Sequence, residues 1–404
     1  MQVSDQRGLS YSAEDPAAVE AFDAVMLGYL NYAADTMDRL SALVRDHDLP
    51  MAQCFRACLL KMGSDPRFRP MLTDIVAALE GADLNAREHL HLAALQRWIA
   101  EDMAGACAIY EQILASHPHD VLAAKCAHNM HFYAGDMIAL RDSVGRILPH
   151  WEDDDPWRSF IAGMYSFGLE ESGDYDTALR IGQAASDANP GDIWAAHAVA
   201  HVYEMRGERR AGIEWISARL PDWQGVNNFV YHMHWHKALA HIGEGELDEA
   251  MAIYDEHLVN ALAADFYLDV CNAASLLWRL GMRGYDVGDR WEALRPYASQ
   301  RITDDELVFV TLHYLMVPAM TGDAALVADG LRGMKQWGGS TSTQGQVAHD
   351  VGVPMAEGIA AMLVDGAVRG ARQMDAVRGD IVRIGGSHAQ RQLFEEAMAH
   401  YGAA

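Results

Sequence analysis

The 404-residue sequence contains no run of about 18 uncharged apolar residues, so it offers no membrane-spanning helix. It also lacks a basic cluster: 31 Lys and Arg stand against 57 Asp and Glu, a formal net charge of -26. A surface this anionic repels phosphate backbones and excludes nucleic acid as a partner. Cysteine is sparse. Cys54, Cys58, Cys107, Cys126 and Cys271 are scattered, odd in number and form no CxxC pair, so reduced thiols in a cytoplasmic protein are expected. The opening "MQVSDQRGLSYSAEDPAAVE" is polar and acidic, without the charged-then-apolar layout of a secretory signal. Missing as well are a phosphate-binding loop, a Rossmann glycine fingerprint, a G-x-S-x-G elbow and Cys–His zinc spacing. Aromatics make up only 9% of the chain and strand-like alternation is rare, which with abundant Ala and Leu points to helix.

A chain of this length is long for one compact core, so several domains or a repeat array are expected. A repeat is present. A short turn, followed five positions on by a small apolar residue, recurs at "EDMAGA" from Glu101, "GDMIAL" from Gly135, "GDYDTA" from Gly173 and "GEGELDEA" around Gly245, with weaker copies at Gly207 and Gly322. Successive spacings of 34, 38, 34 and 38 match the 34-residue tetratricopeptide period with small insertions. Ala at the packed positions lets the two helices of a hairpin approach closely, and Pro118 and Pro190 end second helices. This reading gives an all-α chain, a tetratricopeptide-type α-solenoid of about eight or nine helical hairpins forming a single repeat domain over 1–404. Residues 1–16 are read as an N-terminal tail, "GGSTSTQGQ" (338–346) as a flexible loop, and "EDDDPW" (152–157) as a helix start with Pro156 in the first turn.

The segments "YSFGLEESGDYDTA", "HAVAHVYEM", "YHMHWHKAL", "ELDEAMAIYDEHL", "VGDRW" and "GGSHAQR", in that order from Tyr165 to Arg391, resemble signature segments of the tetratricopeptide repeat protein 38 family. The resemblance covers most of the chain, with a weaker match at "VLAAKCAHNMHFYAGD". It implies an all-helical solenoid and carries no settled activity. It also implies shared histidines at His128, His197, His201, His232 and His236 and a shared Glu204, with His234 and His388 as departures.

The chemistry is expected on the first helix of each hairpin, which lines the inner surface, over about 120–134, 158–172, 192–206, 228–244 and 265–280. Eight of the 19 histidines fall in these ranges, and His89, His91, His313 and His349 on the first helices of other hairpins bring the number to twelve. In "HAVAHVYE", His197 and His201 lie about 40° apart around the helix and Glu204 about 20° to the other side of His197, one narrow stripe. His232 and His236 form a second i,i+4 pair on the next first helix. Imidazoles one turn apart are suitable chelating neighbours for a divalent transition metal such as Zn, Mn, Fe or Ni, which makes His197, His201, His232 and His236 candidate ligands. "HAVAH" lacks the Glu of HExxH, and HxxE reverses the ExxH order of di-iron helices, so neither of those mechanisms follows. Three readings stay open: a metal site, a metal-free acid–base pocket using His201, Glu204 and His236, or imidazoles bracing a polar groove. His128, Tyr165, Trp235, Asp269 and Arg391 are candidate ligand-binding residues. Ser387 and Gln390 form a capping box beside Arg391, a helix start that could also hold an anion. The function classes carried forward are a binder of a small molecule or peptide in a concave groove, a hydrolase-type or metal-dependent enzyme, and a protein–protein scaffold, with homo-oligomer formation left open.

Overall fold

The computed structural model describes residues 2–364 and 366–402. It is all-α apart from a small hairpin of β1 (Gln2–Ser4) and β2 (Ser10–Ser12). The chain divides into two compact units. The first comprises residues up to His131, Met137–Val199 and Leu220–Asn227, and the second Phe132–Asp136, Ala200–Arg219 and everything from Asn228 on.

In the first unit the helices run α1 (Pro16–Leu30), α2 (Thr36–Asp46), α3 (Pro50–Met62), α4 (Arg69–Glu80), α5 (Ala86–Ile99), α6 (Met103–Ser116), α7 (Val121–Ala134) as far as His131, α8 (Met137–Ile147), α9 (Arg158–Glu171), α10 (Tyr175–Ala188) and the first half of α11 (Ile193–Arg206). The second unit takes the rest of α11 and then α12 (Arg209–Arg219), α13 (Phe229–Glu244), α14 (Leu247–Ile253), the short α15 (Val259–Ala261), α16 (Tyr267–Met282), α17 (Trp291–Arg301), α18 (Val308–Thr321), α19 (Ala324–Trp337), α20 (Thr343–Val347), α21 (Val353–Val364), α22 (Ala367–Asp375) and α23 (His388–Gly402). Consecutive helices pair as tetratricopeptide-type hairpins, with α5 on α6, α9 on α10, α13 on α14 and α18 on α19. The first helices fall where the repeat register puts them.

One turn motif explains the hairpins. Gly173 and Gly245 take positive φ (89° and 81°), which an L side chain resists, and the following residue donates its N–H to the carbonyl five positions back. The bonds Asp174 to Leu169, Glu208 to Tyr203, Glu246 to His241 and Asp323 to Pro318 are each 2.9 Å. An acidic residue then opens the next helix: Asp174 accepts from the Thr177 N–H and Asp323 from the Leu326 N–H. At "EDMAGA" the same geometry is made without glycine, by Glu101 at φ 63°, with Asp102 donating to Arg97 at 2.9 Å.

Small residues set the packing distances. A Cβ on Gly168 would come within 2.6 Å of the Arg141 backbone, and one on Gly163 within 3.0 Å of Ala195. In the second unit α16 and α18 are buried on nearly every side, from Asp269 to Leu280 and from Val308 to Ala319, and α16 packs on α13, α18 and α23.

Three local expectations differ from the structure. The N-terminal stretch is tied down from β1 on: Tyr11 is buried, the Ser12 N–H donates to Glu88 and the Arg87 guanidinium to the Ser10 carbonyl. In 338–346, Ser342 caps α20 and the buried Gln344 accepts from the Val308 N–H, so the stretch is partly helical. In "EDDDPW", Asp155 caps the Trp157 N–H of a turn and α9 starts after Pro156, at Arg158.

Opposite signs are expected at two turns. Glu101→Gly relieves the positive-φ strain and raises stability by about 0.5–1 kcal/mol. Gly135→Ala places a Cβ 1.9 Å from the Val382 carbonyl oxygen at φ 71° and lowers stability by about 3 kcal/mol. Urea midpoints of the two variants measure both.

Candidate metal centre

Helix α13 brings His232, Trp235 and His236 onto one face by their spacing of three and four residues. His232 stacks on Trp235 (5.2 Å between centroids, 13° between planes) and meets His236 edge-on at 4.7 Å. The second-unit half of α11 adds His201, whose ring lies 4.5 Å from that of His236. Each of His201, His232 and His236 is buried, and each offers a ring nitrogen within 4.8 Å of the others.

Helix α16 holds this group in place through residues that the sequence reading did not single out. The Asn272 side-chain oxygen accepts from His232 Nδ1 at 3.1 Å, which leaves His232 Nε2 with its lone pair. That nitrogen faces His236 Nε2 at 3.2 Å. The Trp235 indole donates to Ser275 Oγ at 2.8 Å, and Ser275 donates to the Asn272 carbonyl at 3.1 Å. Arg279 lies under the same platform, its guanidinium 5.7 Å from the Trp235 ring and one nitrogen donating to the Ala389 carbonyl at 2.7 Å. Its Nη1 has no hydrogen-bond partner among the described residues. The signal was present in "YLDVCNAASLLWRLGM": Asp269, Asn272, Ser275 and Arg279 make a polar stripe at helical spacing on an otherwise apolar helix.

Burial sets the charge state. It pulls His232 down to about 3, against the hydrogen bond to Asn272, so this ring is neutral at pH 7. Glu204, three residues past His201, is raised above the usual carboxylate range by burial, although Arg209, Arg279 and His201 act the other way. Burial pulls Arg279 down to about 10 while Glu396 and Glu204 hold it up. A neutral imidazole group beside a carboxylate of raised pKa has the donor atoms for a transition metal and the proton affinity for general acid–base work.

The remaining candidates are placed as follows. His197 stands one turn before His201 on α11, its ring against Phe167 (5.5 Å) and Trp194 (5.0 Å) in the first unit. His128 touches the same two rings at 5.9 and 5.8 Å. Tyr165 is half-buried, its ring beside Gly145 of α8, where a Cβ would come within 3.0 Å of it. Asp269 accepts from the Asn228 amide at 2.6 Å, and burial raises it to about 7. Arg391 donates to the Gly386 carbonyl next to the Ser387–Gln390 capping box, so its guanidinium closes the helix start. His234 turns away from His232 and stacks on His257 at 3.7 Å. The inward bias of histidines fails at His349, which is exposed beside Asp350.

No known family model matches the chain. Among solved structures it is similar to MamA, with a TM-score of 0.32, 18% identity, and 44% of this chain and 95% of that one covered. It is also similar to Rap protein complexed with competence and sporulation factor, with a TM-score of 0.43, 10% identity, and 88% of this chain and 99% of that one covered. No helix among the described residues is long and apolar enough to cross a membrane.

A pH dependence follows from the buried imidazoles. His313, 1% exposed and bonded through Nδ1 to the Phe309 carbonyl at 2.8 Å, is pulled down to about 4 by burial. The unfolded chain takes up a proton below about pH 6.5 that the folded chain refuses, so stability is full above that value and falls as pH drops toward 4. Urea unfolding of His313→Phe between pH 6.5 and 4.5 is expected to show a slope shallower than the parent's by about 1 kcal/mol per pH unit.

Proposed function

We propose that this protein holds one divalent transition-metal ion (Zn, Mn, Fe or Ni) on His201, His232 and His236, and through it binds a small molecule or peptide. The observation that carries the reading is the 3.2 Å separation of His232 Nε2 and His236 Nε2, with the other nitrogen of His232 tied to Asn272. Two nitrogens on a tetrahedral ion with bonds of about 2.0–2.1 Å stand about 3.3 Å apart, so the pair is already at chelating separation. A hydrogen-bond acceptor on the far nitrogen is what fixes the tautomer of a metal-binding histidine. His201 supplies the third donor, and the fourth position is open to the ligand. If the fourth position goes to water instead, the arrangement becomes that of a hydrolytic ion, with Glu204 as base and His201 and His236 in the catalytic group. The raised pKa of Glu204 favours that second reading. A bare interaction scaffold needs no buried imidazoles, which makes it the weaker account.

The segments from Tyr165 to Arg391 support placing the chain with the tetratricopeptide repeat protein 38 family. Five buried cysteines, with no disulfide among the described residues, fit a reducing, cytoplasmic location.

Elemental analysis of protein purified without an affinity tag tests the metal. About one ion per chain is expected in the parent, near none in His232→Ala/His236→Ala, and a thermal midpoint that rises when Zn is added to the stripped parent. Less than about a tenth of an ion per chain, together with no shift on adding Zn, Mn or Ni, overturns the metal and leaves the acid–base pocket as the alternative.

A further inference from the structure

The first unit holds a second group of buried polar side chains that no part of the metal centre uses. Helix α7 carries Lys125 and His128 three residues apart, and Asp192 caps α11 by accepting from the Trp194 and Ala195 N–H groups with Oδ1. All three are almost wholly enclosed, at 4%, 1% and 0% exposure. The Lys125 ammonium lies 4.9 Å from the Trp194 ring, 5.6 Å from Tyr32 and 5.7 Å from Tyr29. Among the described residues no hydrogen bond or ion pair reaches it. Both ring nitrogens of His128 and Oδ2 of Asp192 also lack partners. Unsatisfied polar atoms in a protein interior are rare and disfavoured, and a group of them around one amine calls for a functional explanation.

We propose that Lys125 is the reactive amine of a second site, one that condenses with the carbonyl of a small aldehyde. The neutral amine attacks the carbonyl carbon and forms the C–N bond. His128 takes a proton from that nitrogen while Asp192 gives one to the carbonyl oxygen, producing the carbinolamine. His128 then returns its proton to the hydroxyl, the C–O bond breaks, and water leaves. The product is an iminium cation beside the Asp192 carboxylate, the net proton having come from Asp192. Neither oxidant nor reductant is needed. The rings of Tyr29, Tyr32 and Trp194 lie around the amine and suit an apolar or aromatic body. The iminium is the one cation at this place among the described residues and Asp192 already balances it, so a neutral aldehyde fits better than an oxo acid.

The charge states agree with this chemistry. Burial pulls Lys125 down to about 8 against the pull of Asp192, and raises Asp192 to about 7 against its backbone hydrogen bonds. It also holds His128 well below the ordinary imidazole value, with Lys125 adding to the effect. An amine near 8 has a usable neutral fraction at physiological pH, the condition for a Schiff-base lysine.

Reductive trapping tests the site independently of the metal. The untagged full chain is incubated at pH 8 with benzaldehyde and cyanoborohydride, digested, and its peptides are weighed by mass spectrometry. The chain has four lysines (Lys61, Lys125, Lys237 and Lys335), so the labelled position is read directly. Labelling of the enclosed Lys125 at least tenfold faster than of the exposed Lys335 is expected. So is a drop of tenfold or more at Lys125 in Asp192→Asn, which keeps the Oδ1 cap. Lys125→Arg keeps a cation over the rings and should lose the label while retaining the parent's circular dichroism and melting temperature. Label confined to the other lysines overturns the proposal, because an amine closed to a small aldehyde is no site. Full-rate labelling in Asp192→Asn overturns the role given to the acid.

Discussion

A helix that ends on a residue of positive φ, with the next N–H reaching back five positions, has to reverse direction within two residues. That backbone constraint is imposed four times with the same 2.9 Å bond, and a fifth time at Glu101 without the glycine that usually makes it easy. It fixes which helix of each pair comes first and where its second half lies. The residues closing the motif are also the last turn of the functional helices: Glu204 sits three positions before Gly207, and His241 is the acceptor for Glu246. The turn chemistry therefore sets the register of the imidazoles, and a slipped turn would rotate His232 and His236 off α16.

Burial decides what those imidazoles are. The chain has 57 acidic residues, yet the group at α13 and α16 is built from rings that can give up charge without leaving a bare ion. A carboxylate placed where His232 stands would need a partner for its full charge, whereas the imidazole loses its proton and keeps a lone pair. Asn272 then selects which nitrogen carries the remaining hydrogen. Ser275 does similar work for Trp235, so the stacked ring that orients His232 is itself fixed by α16. Orientation in this group comes from a neutral hydrogen-bond layer one helix away, not from the ring-bearing helices.

The hairpins were legible in the sequence because their signal is periodic and local: glycine, an acidic cap, then alanine at a fixed offset. The i,i+4 histidine pairs were legible for the same reason. Asn272, Ser275 and Arg279 belong to a helix more than 30 residues downstream, and their stripe has meaning only once α16 is known to lie on α13. Tyr165 shows a different limit. Helical spacing put it with the aromatic candidates, and nothing in the sequence shows that Gly145 on the neighbouring helix leaves room for its ring. The β1–β2 hairpin was missed because three-residue strands carry no period, and its anchoring to Glu88 and Arg87 joins positions more than 70 residues apart.

The two polar groups in this protein differ in how their hydrogen bonds are satisfied, and the difference has a physical reading. In the second unit His232 has its tautomer fixed by Asn272 and its partner nitrogen at 3.2 Å, so the group is preorganised and a bound ion would need little rearrangement. In the first unit Lys125, His128 and Asp192 are enclosed, with the imidazole and one carboxylate oxygen left without partners and the amine against rings that hold a cation more weakly than an ion pair would. An ion pair there would lock the lysine as ammonium. Aromatic faces leave it free to lose a proton, and the deprotonated amine is the form that reacts. On the two proposals made above, the same property of the interior, desolvation, yields a ligand set where the hydrogen bonds are closed and a nucleophile where they are left open.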